Sequence, residues 1–170
     1  MTSGDSPFVL TEQQIVRARV VVVDDDALVT DALNSFLGLE LEIEPVSFNE
    51  SPRAASYIQE NEIDLIISDF LMPDMDGIQL LALARGVQPE VPRILLTGYA
   101  DKENAIKAIN ETQVFHYIEK PWNNEFLRTV VLNGLERLML MRTLAEKIAE
   151  LEKTRTDLTG LRNALVRAFA

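Results

Sequence analysis

Asp64-Leu65-Ile66-Ile67-Ser68-Asp69, running into Phe70-Leu71-Met72-Pro73-Asp74-Met75-Asp76-Gly77, decides the fold. An apolar run too short for a helix ends in an acidic residue and breaks into a turn containing Pro and Gly. That pattern predicts a buried parallel strand that carries the Asp69 carboxylate to the loop edge of a sheet. Three other stretches repeat it. Val20–Val23 runs into Asp24-Asp25-Asp26, Ile94-Leu95-Leu96 into Thr97-Gly98, and Phe115-His116-Tyr117-Ile118 into Glu119-Lys120-Pro121. Ligands of open α/β sheets bind outside the carboxyl ends of the strands. Acidic residues, a Thr and a Lys are therefore expected along one edge.

Helical periods fill the intervals. The first strand is expected over Arg19–Val23, and Leu28, Ala32, Leu33, Phe36 and Leu37 then give a helix with one inward face, which an Asp at the end of the loop can cap. Ile43 alternating with Glu42 and Glu44 predicts a second strand over Glu42–Phe48, and Pro45 inside it argues for an edge position. Ser51-Pro52 reads as an N-cap followed by Pro at the first helical position, opening a helix that runs through Glu60. Further helices are expected from Gly77 to near Gly86, over Lys102–Asn110, and from the Asn pair after Trp122, one of which can cap it. Five βα units with right-handed crossovers make a five-stranded parallel sheet with helices on both faces.

The last helix outruns the domain. Residues 1–17 read as an extension with order near Phe8–Val16, residues 18–138 as the globular body, and residues 139–170 as a coiled-coil tail or linker. Met141, Leu144, Ile148 and Leu151 fall at alternating spacings of three and four. Continued through Arg155, Leu158, Arg162, Leu165 and Phe169, this is a 3.5-residue repeat, the signature of a coiled coil and of a parallel homodimer. Arg at two seam positions and Gly160 weaken its distal half. An amphipathic helix folded back on the body is the other reading.

The 170 residues are 47% hydrophobic, enough for a sizeable core, with no run near the ~18–20 apolar residues of a membrane span. The N-terminus has no signal-peptide pattern and there is no Cys, so the expected address is the cytoplasm, without a disulfide framework. Residues 1–123 hold 21 acidic and 8 basic residues, against 6 and 8 in 124–170. So acidic a body repels phosphate backbones, which argues against nucleic-acid binding, and carboxylates gathered at one edge attract a divalent cation. Mg²⁺ takes one or two carboxylates and keeps several waters. A carboxylate beside it can attack a phosphoryl group in line, with a Lys ammonium and a Thr hydroxyl offsetting the developing charge. Asp74 and Asp76 read as turn residues, and His116, the only His, as structural.

Asp24-Asp25-Asp26, Asp69 with Met72-Pro73-Asp74-Met75-Asp76-Gly77, Leu96-Thr97-Gly98-Tyr99 and Lys120-Pro121-Trp122, in that order, resemble the receiver domain of two-component response regulators over about residues 18–138. The resemblance implies a flavodoxin-like (βα)5 fold with strand order 2-1-3-4-5. It implies Asp69 as phosphoacceptor, Mg²⁺ held by Asp24, Asp25, Asp69 and the Leu71 carbonyl, and Lys120 paired with the phosphoryl group. Thr97 and Tyr117 would be the switch pair. A sensor histidine kinase or phosphotransfer protein would be the donor, and the domain, no enzyme in the usual sense, would promote its own phosphorylation and dephosphorylation. Two other readings stand beside it. One is a haloacid-dehalogenase-type phosphatase using Asp24-x-Asp26, Thr97 and Lys120; the other is a phosphorylation-independent dimerisation scaffold. No output domain is expected within the 170 residues, although Leu158-Thr159-Gly160-Leu161-Arg162-Asn163 resembles the opening of diguanylate cyclase domains, with Ala164 where an Arg usually follows.

Overall fold

The computed structural model describes residues 10–101, 103–106, 109 and 113–170. It divides into two units, one ending at Leu138 and the other formed by Met139–Ala170. Within the first, a short helix α1 (Glu12–Val16) precedes β1 (Val20–Val23), α2 (Ala27–Leu41), β2 (Val46–Phe48), α3 (Ser51–Glu60), β3 (Leu65–Asp69), α4 (Gly77–Val87), β4 (Arg93–Thr97) and β5 (His116–Glu119). Helix α5 covers Asn124–Ala168. Of the helix expected over Lys102–Asn110, residues 103–106 and 109 are helical; Lys102, Lys107, Ala108 and Asn110 lie outside the described residues, as do Phe8, Val9 and the Tyr99 side chain. Among the described residues, no helix is long and apolar enough to cross a membrane.

The five strands are parallel and ordered β2-β1-β3-β4-β5, as expected. Strands β1, β3 and β4 are buried throughout, which is why each carries a run of three or four apolar residues. One layer of the core packs Leu33, Phe36 and Leu37 of α2 with Leu127, Val131 and Leu135 of α5. The other packs Ala54 and Ile58 of α3 with Leu80, Leu81 and Ala84 of α4. Register sets the functional edge, since Asp69 pairs with Leu96, one residue before Thr97, and Thr97 pairs with Glu119, one before Lys120.

Two local expectations change. The second strand is Val46–Phe48 rather than Glu42–Phe48. Glu42 is the left-handed C-cap of α2 at φ 55°, and the Ile43 N–H closes back on the Leu37 carbonyl, so the Glu-Ile-Glu alternation belongs to a helix end. Ser51 does not cap α3: Glu50 stands at the cap without a side-chain bond, and the buried Ser51 hydroxyl donates to the Pro73 carbonyl at 3.2 Å. The last helix passes Gly160 and continues to Ala168, as expected of the tail, since nothing there demands a turn.

Candidate functional site

Each acidic residue is delivered by its strand. Val20–Val23 ends with the Asp24 carboxylate in the sheet edge, 1% exposed, its Oδ1 accepting the Asp26 N–H at 2.9 Å. Asn49, just past β2, donates to the Asp24 carbonyl at 2.8 Å and to the Thr30 hydroxyl at 3.1 Å, locking the loop. Asp25 points out and is exposed. Asp26 turns away to cap α2, accepting the Leu28 N–H at 2.9 Å. Asp69 ends β3, its loop closed by Gly77 N–H to the Phe70 carbonyl at 2.8 Å. Asp76 caps α4 through a reciprocal box with Gln79, as a turn residue should.

Carboxylate oxygens of Asp24, Asp25 and Asp69 lie within 4.8 Å of one another. The Lys120 ammonium, brought by β5, sits 2.6 Å from Asp24 Oδ2 and 2.9 Å from Asp69 Oδ1. Its backbone N–H donates to the Thr97 carbonyl at 2.8 Å, placing both residues at one corner. The Thr97 hydroxyl is buried and has no hydrogen-bond partner among the described residues. Leu71, two residues beyond Asp69, is 54% exposed, and its carbonyl accepts no hydrogen bond among the described residues. Tyr117 is half-buried with the α3–α4 layer of the core. His116 is exposed and edge-on to Phe126 at 5.4 Å, a packing role.

Burial pushes the Asp69 carboxyl above its ordinary value, with the neighbouring Asp24 charge adding to the rise and Lys120 opposing it. Burial alone would lower Lys120, but its bonds to Asp24 and Asp69 outweigh that and hold it raised. Three carboxylates against one ammonium leave the cluster formally two charges negative. The Asp25 carboxylate has no protein partner among the described residues. That donor set, oxygen-only and anionic with an outer ligand to spare, fits Mg²⁺.

Sequence reasoning did not find Asn49 or the wall behind Gly77, since both act through residues distant in the chain. A Cβ at Gly77 would lie 1.9 Å from the Asp69 carbonyl oxygen, so the glycine lets α4 begin against the end of β3.

A parallel 2-1-3-4-5 sheet with three Asp and one Lys at its carboxyl edge defines a receiver-type α/β protein. The chain belongs to the response regulator receiver domain family, whose model matches residues 20–132. The hydrogenase transcriptional regulatory protein HoxA of Cupriavidus necator is 34% identical over 120 residues, covering 71% of this chain and 24% of that protein. The chain thus spans about a quarter of the length of the curated relatives it matches. The response regulator receiver domain protein from Clostridium thermocellum superposes with a TM-score of 0.68 at 28% identity, over 73% of this chain and 98% of that one. The signal receiver domain of an HD domain-containing protein from Pseudomonas fluorescens Pf-5 gives 0.67 at 31% identity, over 72% and 98%. Family membership and the capping role of Asp26 together remove the phosphatase reading, which needs Asp26 in the site.

Proposed function

We propose that the chain takes a phosphoryl group onto Asp69 from the phosphohistidine of a sensor histidine kinase or phosphotransfer protein, acting in the cytoplasm. The signal then passes to its C-terminal helix, through which two copies pair. The observation that carries this reading is the Lys120 ammonium bridging Asp24 and Asp69 beside an unpartnered Asp25. Asp24, Asp25, Asp69 and the Leu71 carbonyl would hold Mg²⁺, which when bound offsets the negative charge that builds on the phosphoryl oxygens.

The chain's own residues do the rest. An Asp69 carboxylate oxygen forms the new O–P bond as the P–N bond to the donor imidazole breaks, and the electron pair leaves with the imidazole nitrogen. Lys120, already 2.9 Å from Asp69, is placed to stay paired with the transferred group. Thr97 offers a buried hydroxyl lacking an acceptor, which a phosphoryl oxygen would supply. Tyr117, on the neighbouring strand, would couple a swing of Thr97 towards the phosphoryl group to the surface. In this role residues 18–138 act as the receiver and residues 139–170 as the connecting helix.

Incubation with a small phosphodonor and Mg²⁺ should add one phosphoryl group, and Asp69→Asn should abolish it. Persistent stoichiometric labelling of that variant overturns the assignment. Failure of Mg²⁺ to bind the wild type at millimolar concentration favours the scaffold reading instead.

A further inference from the structure

The tail, Met139–Ala170, carries two apolar stripes that meet at Leu151. Met141, Leu144, Ile148 and Leu151 form the first and are between 43% and 69% exposed. Continued in the same phase, that stripe runs into Arg155 and Arg162. Guanidinium groups facing their own copies across a seam repel and lose hydration. A second stripe, Thr154, Leu158, Leu161 and Leu165, shares Leu158 and Leu165 with that line but takes the residues one place before Arg155 and Arg162. Leu161, 59% exposed, has no place in the first phase and is central to the second. Run backwards from Leu151, the second stripe fails in turn, because it meets Lys147. Each phase is clean on only one side of Leu151.

The charged flanks divide at the same point. In a parallel pair, the residue just before the first of the two seam positions in each heptad (Ile148 in the first stripe, Leu151 and Leu158 in the second) faces the residue five further along the other helix. For the first stripe, Lys147 faces Glu152 of the second copy. For the second, Glu150 faces Arg155 and Asp157 faces Arg162. All three pairs are of opposite charge, and symmetry doubles each. An antiparallel pairing of the second stripe would set acid against acid and Arg against Arg. In the single chain Lys147 lies 3.1 Å from Glu150, and pairing gives each a partner across the seam.

We propose that the tail pairs in parallel with a second copy of this chain through a seam that changes phase at Leu151, moving Arg155 and Arg162 from the seam to its salt-bridged flanks. This rests on the reading that two copies pair through the C-terminal helix, and it replaces the loose distal half expected from an unbroken repeat. The successive three-residue steps Ile148–Leu151–Thr154 are a three-residue insertion, which overwinds the pair locally. The two phases differ by a turn of roughly 50°, half of the ~103° per residue in a 3.5-residue repeat. Leu151 is thus a joint at which rotation of the proximal helices need not reach the distal ones unchanged.

The chain has no Cys, so single-Cys variants of the whole protein report the seam by disulfide formation, which needs Cα atoms within about 7 Å. In unphosphorylated, metal-free protein, Thr154→Cys and Leu161→Cys should cross-link and Arg155→Cys and Arg162→Cys should not. Glu150→Arg should weaken the dimer several-fold, and adding Arg155→Glu should restore it. The opposite cross-linking pattern in a dimer overturns the phase change while leaving the pairing. A monomer by light scattering, or a dimer that cross-links at none of the four, overturns the seam altogether. None of these outcomes depends on Asp69.

Discussion

Asp69 is buried beside Asp24 with one ammonium between them, and its carboxyl is raised accordingly, first by burial. A carboxyl whose folded value exceeds its unfolded value of about 3.9 holds its proton longer when folded. Stability is therefore lost as pH rises from the unfolded value through the folded one, and at neutral pH the metal-free protein bears the whole cost. Asp69→Asn should raise the melting midpoint in chelator, by about 2–4 °C for each kcal/mol released in a chain of this size. Mg²⁺ should stabilise the wild type more than the variant. In chelator the gap in melting midpoint between Asp69→Asn and the wild type should narrow on acidification, and a gap that does not change with pH contradicts the raised value. Metal titration separates the neighbours: Asp25→Ala should weaken Mg²⁺ binding, while Lys120→Ala, by removing a competing cation, should leave it equal or tighter. Equal losses in both would misassign the two roles. Asp24, Asp25, Asp69, Thr97 and Lys120 were legible in the sequence because each lies one or two residues beyond a short apolar run. Asn49 was not, because its partners lie some 20 residues away and no local pattern marks them.

Two glycines in one helix separate steric from conformational demand at the level of elements. Gly77 opens α4 where a Cβ would meet the Asp69 carbonyl oxygen at 1.9 Å, whereas Gly86, in the same helix, has nothing within 4 Å. Gly77→Ala should cost about 3 kcal/mol or more, since backbone rather than a pliant side chain stands in the way. Gly86→Ala should stabilise by about 0.5–1 kcal/mol, the helix propensity difference. Urea unfolding of both variants checks the pair, and equal effects would refute the steric account. The helices were legible from their inward stripes, and the caps at Asp26, Asp76 and Asn123, which accepts the Phe126 N–H at 2.9 Å, follow Asx chemistry. Glu42–Pro45 was misread because a left-handed helix end that drops Ile43 into the core mimics a half-buried strand over three residues. Ser51 was misread because its hydroxyl answers to Pro73, a contact across two elements.

For the whole molecule, the parallel strands and the helices on both faces were legible because fully buried strands announce themselves by composition, the strand order followed from the family resemblance, and the proposed pairing of the tail was only half legible. A seven-residue period was visible, but in the proposed pair its phase is set together with flanking charges that would act only across a second chain. The sheet itself is unevenly protected, with β1, β3 and β4 buried throughout and β2 and β5 partly exposed. Amide hydrogen exchange should follow that division. The central amides should exchange only through global unfolding, and those of β5 through smaller openings, orders of magnitude sooner. Comparable protection in β3 and β5 would refute this. Asp24 and Asp69 are thus anchored to the slow part of the molecule and Lys120 to a faster one. A local opening at β5 can withdraw the ammonium from both carboxylates while the acidic pair stays in place, so the cluster can lose its cation without the domain unfolding.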